Sequence, residues 1–117
     1  MMIETRKRLL DVTEACAAIA QFTAGKDFTA YECDRMLRSA VERQFEIIGE
    51  ALGMAAKSDA SLPRLLPELP KIVALRNRLI HGYDSVDDEI VWDIVQSKLP
   101  SLETQVRELL RESGAGD

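Results

Sequence analysis

Histidine occurs once in this 117-residue chain, at His81, and cysteine twice, at Cys16 and Cys33. So sparse a set of soft ligands excludes the familiar metal patterns, because the two thiols lie seventeen positions apart and no second histidine completes a set. No metal and no cofactor is expected. Both cysteines fall within helical patterns, and buried free thiols in a reducing cytoplasm are the expected state. No apolar run reaches the roughly 18 residues of a membrane span. The opening Met1-Met2-Ile3-Glu4-Thr5-Arg6-Lys7-Arg8 is followed by an amphipathic pattern and not by a signal-type apolar block. Alternating β-branched runs, internal repeats and low-complexity segments are also missing, which excludes a sheet protein and a solenoid. Net positive charge is absent too. The formal charge is -5, which argues against bulk attraction to nucleic acid.

What is present is a globular composition, 46% hydrophobic and 30% charged. A chain of this length is one domain and buries a core without staples. The apolar residues recur at helical spacing almost throughout. Leu9, Val12, Cys16 and Ile19 share one face of a first helix that Gly25 ends. Thr29 and Glu32 fit a capping box. A long second helix follows, with Leu37, Val41, Phe45, Ile48, Leu52 and Ala55 along its seam. Ser58 to Pro70 holds three of the four prolines and reads as a connection with one short turn near Leu65. A third helix runs from Lys71 to about His81, with Ile72, Leu75 and Leu79 inward and Gly82 as its stop. Ser85-Val86-Asp87-Asp88 looks like another capping motif. The last helix carries Ile90, Ile94, Leu99, Leu102, Val106 and Leu109, with a kink or a brief break expected at Pro100. The expected architecture is an all-α, up-and-down bundle of four to five helices over residues 1–112, with a flexible tail at 113–117.

Charge is unevenly placed. Residues 61–82 carry Arg64, Lys71, Arg76 and Arg78 against Glu68, a local +3, whereas residues 83–93 carry Asp84, Asp87, Asp88, Glu89 and Asp93, a local -5. The basic stretch contains the histidine, so an anionic ligand is expected there. On the third helix Asn77 and His81 are i and i+4, and Asn77 can fix the imidazole tautomer. Arg76 and Tyr83, seven apart, fall on one helical face, and His81 lies about 140° around from Arg76. Arg76 can fork onto phosphate oxygens, and a histidine can both take and give a proton near neutrality. That chemistry suits RNA phosphodiester cleavage, in which the 2′-hydroxyl loses a proton and the leaving 5′-oxygen gains one. One histidine supplies one such group; a homodimer supplies two. The bland alternatives stay open on the residues alone. His81 also fits a helix-capping role, Tyr83 a packing ring, and Arg76 and Arg78 surface charges. Glu46 and Glu50, one turn apart, are either a solvated acid pair or support for Arg76, and Gly49 between them lets another helix approach.

The stretch Arg76-Asn77-Arg78-Leu79-Ile80-His81-Gly82-Tyr83 resembles the R-x4-H-x-Y motif of HepT-like toxins in the HEPN superfamily. Phe45-Glu46-Ile47-Ile48-Gly49-Glu50-Ala51 is similar to that family's second-helix signature. Val86-Asp87, Val91-Trp92 and Leu99-Pro100 resemble the segment after the motif. The likeness runs from about Leu37 to Leu110. It implies a dimeric helical bundle with the paired motifs lining a cleft, and a metal-independent ribonuclease toxin with Arg76 and His81 catalytic. Asn77 and Glu50 would support them. It further implies an antitoxin partner, a minimal nucleotidyltransferase of the MntA type, which transfers AMP from ATP to the motif tyrosine, here Tyr83. An alternative is a non-catalytic helical adaptor subunit of such a nucleotidyltransferase, and a third is a plain dimerisation bundle.

Overall fold

The computed structural model describes residues 1–115, and among them seven α-helices and no strand. In order they are α1 (Ile3–Thr23), α2 (Phe28–Cys33), α3 (Arg35–Ser58), α4 (Leu62–Leu65), α5 (Leu69–His81), α6 (Asp88–Asp93) and α7 (Leu99–Ala115). A 3₁₀ turn, Tyr83–Ser85, joins α5 to α6, and a π-helical segment, Ile94–Lys98, joins α6 to α7. The long helices pack in the spatial order α7, α1, α3, α5, while α6 returns over α2. This is the expected all-helical bundle. None of these helices is long and apolar enough to cross a membrane.

The seam of α3 is buried at all six positions named from the sequence, Leu37, Val41, Phe45, Ile48, Leu52 and Ala55. Leu9, Val12, Cys16 and Ile19 of α1 and Ile72, Leu75 and Leu79 of α5 meet it. Each large apolar side chain so buried contributes about 1.5–3 kcal/mol relative to exposure. Prolines shape the connection as read: Pro63 and Pro70 sit in the first turns of α4 and α5, where their missing N–H breaks no helical bond.

Several local expectations are corrected. Thr29 is not a cap. Asp27 caps α2 by accepting from the Ala30 N–H at 2.8 Å, and Thr29 lies inside that helix. The second helix is broken after Cys33, because Asp34 starts α3 afresh and accepts from the Leu37 N–H at 3.1 Å. Both breaks follow from a short carboxylate competing with the helical ladder for backbone donors. Asp87, not Ser85, caps α6, accepting from the Glu89 N–H at 2.9 Å. Cys33 is exposed, since α2 is too short to turn both its faces inward, whereas Cys16 is fully buried. Ile90 points outward, and Val91 and Val95 take the core positions instead.

The expected kink at Pro100 takes the form of the π-helical segment. Pro100 has no N–H for the preceding turn, and its ring crowds the carbonyl of Gln96. The chain widens, and the Leu99 N–H reaches back five residues to the Ile94 carbonyl. At the end of the chain α7 continues to Ala115, into the span expected to be a flexible tail; Gly116 and Asp117 lie outside the described residues.

Candidate functional site

The site is built on the last two turns of α5 and the loop that follows. α5 ends because Gly82 leaves the helical region with φ -140°, an extended value and not the left-handed one usual for a glycine stop. The Gly82 N–H donates to the Arg78 carbonyl at 2.8 Å, and the Gly82 carbonyl then accepts from both the Ser85 N–H and the Ser85 hydroxyl, each at 2.8 Å. A Cβ at position 82 would stand 3.0 Å from the Ser85 Oγ, a tight contact that a small shift of the serine hydroxyl can relieve. The turn carries Tyr83 out of the helix, so it does not continue the face of Arg76 as helical spacing predicts. Its ring is 80% exposed.

His81 is exposed in the last turn of α5 and lines a shallow open groove with Ala74, Asn77, Arg78, Gly82 and Ser85. The imidazole has no hydrogen-bond partner among the described residues, and Asn77 does not supply one. The Asn77 amide oxygen instead accepts from Arg76 Nη1 at 3.2 Å.

Arg76 is placed by a different contact. Its stem lies directly on Gly49 of α3, where a Cβ would come within 2.2 Å of the Arg76 Cβ and 2.8 Å of its Cγ. Only the missing side chain lets α5 approach α3 this closely. The Arg76 Nε is buried and has no hydrogen-bond partner. A buried, unpaired guanidinium N–H is expensive unless some acceptor completes it. Within one chain Arg76 does not line the groove that contains His81. Glu50 is exposed and pairs with nothing among the described residues, while Glu46 takes Arg43 at 3.3 Å. Neither carboxylate touches Arg76, so Gly49 is the α3 residue that sets its position.

Two further cations of the basic stretch border the site. Arg78 lines the His81 groove, and Lys71 lies two turns earlier on the same side. Neither has an ion pair among the described residues. The signal was available in the spacing: residues 71, 74, 78 and 81 form one stripe of a helix. The acidic cluster beyond is largely engaged in structure. Asp87 caps α6, and Asp88 lies 3.9 Å from Arg38. Of its carboxylates, Asp87 and Asp93 line the groove beside the basic stretch.

Comparison with known proteins sets this geometry in a family. The profile of the ribonuclease HepT-like family matches residues 12–109. The chain is 36% identical over 103 residues to a "Probable ribonuclease HepT" of Thermococcus cleftensis, covering 86% of this chain and 91% of that protein. It is 31% identical over 111 residues to a candidate RNase of Methanocaldococcus jannaschii, covering 93% and 89%. A candidate RNase of Caldanaerobacter subterraneus is 31% identical over 107 residues, covering 92% and 95%. No solved structure matches the chain.

Proposed function

The chain belongs to the ribonuclease HepT-like family, and from that membership we propose that it is the endoribonuclease toxin of a toxin–antitoxin pair, acting on cytoplasmic RNA without a metal. The observation that carries the reading is the placement of His81, exposed in an open groove beside Arg78, which has no ion pair among the described residues. In the proposed reaction the 2′-oxygen bonds to phosphorus as the bond to the 5′-oxygen breaks, leaving a 2′,3′-cyclic phosphate. One imidazole takes the 2′-hydroxyl proton and another protonates the departing 5′-oxygen. Arg76 stabilises the charge that builds on the phosphoryl oxygens. Because one chain holds one histidine and keeps Arg76 out of its groove, the working unit is a homodimer with the two α5 ends facing each other.

Neutralisation is proposed at Tyr83. Its exposed hydroxyl attacks the α-phosphorus of ATP, held by an MntA-type nucleotidyltransferase; pyrophosphate leaves, the phenolic proton passes to solvent, and AMP stays on the ring. The new phosphodiester adds negative charge and bulk two residues from His81 and competes with RNA phosphate there.

A second reading, the non-catalytic adaptor, draws on one observation, that the Arg76 Nε is buried while its Nη1 donates to Asn77. Both readings use Tyr83, and they part at His81. Purified protein and its His81→Ala variant, incubated with RNA, distinguish them. Cleavage by the parent, reduced by about 10²–10⁴ in the variant, supports the nuclease. Equal inertness of both, with Tyr83 still accepting AMP from the partner enzyme, overturns it in favour of the adaptor. For the modification, intact-mass analysis after co-expression with the nucleotidyltransferase should show added AMP in the parent and none in Tyr83→Phe; an unchanged mass in the parent removes this step.

A further inference from the structure

A second groove opens directly from the one that holds His81. It lies between α5 and the α6–π stretch, encloses about 520 Å³, and shares Ala74, Arg78 and Ser85 with the His81 groove. Its far wall is apolar, formed by Val86, Ile90, Val91 and Ile94, and its rim carries Lys71 on the α5 side and Asp87 and Asp93 on the α6 side. Ile90, 57% exposed on the outer surface of a helix whose inner positions are filled by Val91 and Ile94, is left uncovered at this wall.

We propose that this groove is a nucleobase subsite, which seats the base of a nucleotide flanking the phosphate at His81. The proposal rests on the ribonuclease reading and names part of the substrate that it requires. Three observations carry it. The volume falls in the range of small-molecule sites, which are mostly apolar with a few polar groups at the edge. Lys71 and Arg78, neither with an ion pair among the described residues, lie along one wall, two helical turns apart, and give the phosphate backbone of a bound strand a positive edge to follow. The carboxylates lie on the opposite wall, where they repel phosphate and hold the backbone to the α5 side. Carboxylates in that position accept from an exocyclic amino group. The Asp93 Oδ1 already accepts from the Ser97 hydroxyl at 3.2 Å, which holds it in place, and its remaining lone pairs stay free for such a donor. The subsite therefore favours an amino-bearing base such as cytosine over uracil.

The test uses the full-length protein in its native oligomeric state and non-cleavable 2′-O-methyl oligonucleotides of one length, made of cytidine only, uridine only or abasic residues only. Binding is followed by fluorescence anisotropy at fixed salt. The parent should bind the abasic strand about tenfold more weakly than the cytidine strand, with uridine between them. Ile90→Ser alters an exposed side chain, so the fold tolerates it, and it should abolish most of that difference. Lys71→Ala should weaken all three strands alike and lower the salt dependence by about one phosphate contact. Retention of the full base discrimination in Ile90→Ser overturns the proposal. So does a loss of dimer mass in Ile90→Ser with discrimination intact, which assigns the wall to a second copy of the chain. Failure of the nuclease reading looks different: no RNA is cleaved, yet the base dependence of binding persists in both the parent and His81→Ala.

Discussion

At Tyr31 a residue-scale conflict is settled in favour of packing. The ring is fully buried and meets Trp92 with centroids 5.1 Å apart, yet its hydroxyl has no hydrogen-bond partner. Burial, with the Glu42 and Asp88 carboxylates nearby, pushes the phenol well above its usual range. Because an unsatisfied hydroxyl costs more than its absence, Tyr31→Phe should leave the fold as stable or stabilise it by up to about 1–2 kcal/mol, read from chemical denaturation. Glu42 shows the electrostatic counterpart. Burial first, then Asp88, raise its carboxyl above the ordinary 4.5, against the lowering by Arg38. The folded state thus holds this proton more tightly than the unfolded chain, so stability falls as pH rises from 4.5 through the raised value. Glu42→Gln should accordingly raise the melting temperature near pH 7 and leave it unchanged near pH 4. The gain stays modest, because the side chain is half-exposed and screened by solvent. The thiols differ in the same way. Burial pushes Cys16 up to about 12, so it should react with alkylating reagents only on unfolding, whereas exposed Cys33 should react in the native protein.

Among the elements, the decisive contact is α5 on α3 at Gly49. Alanine there gains helix propensity of up to about 1 kcal/mol, but its Cβ would overlap the Arg76 stem. Gly49→Ala should therefore destabilise by a net of about 1–2 kcal/mol, measured by chemical denaturation. It should also reduce RNA cleavage by displacing Arg76, while Gly53→Ala, with open space around its Cβ, serves as the tolerated control. The seams of α1, α3 and α5 were legible because helical periodicity is written locally in the spacing of apolar residues. The caps were less legible: Asp27, Asp34 and Asp87 compete with nearby serines and threonines for the same backbone donors, and the winner depends on where the chain must turn. The π-segment was only half legible. Pro100 marks a disturbance, but whether the helix bends, breaks or widens is decided by what Val91, Val95 and Leu99 can bury.

For the whole molecule, the proposed site asks for two chains. The described residues form an elongated body, 46 × 29 × 19 Å, with Ile80 and Tyr83 of the motif exposed. Light scattering should give twice the 13.1 kDa chain mass. Tyr83→Glu, which places charge where AMP would sit, should lower cleavage without lowering that mass. A monomer that cleaves RNA at full rate would remove the composite site.

By itself the sequence determined the helical class, the core faces, the basic stretch around the lone histidine and the likeness to the family. All of these depend on residue type and on spacing within a few turns. Tertiary structure alone decided that Tyr83 leaves the helix, that Arg76 is held by Gly49 rather than by a carboxylate, and that Lys71 and Arg78 border a groove. Those outcomes depend on how closely two helices approach and on which side chains fill the space between them, and distances of that kind are set by residues far apart in the chain.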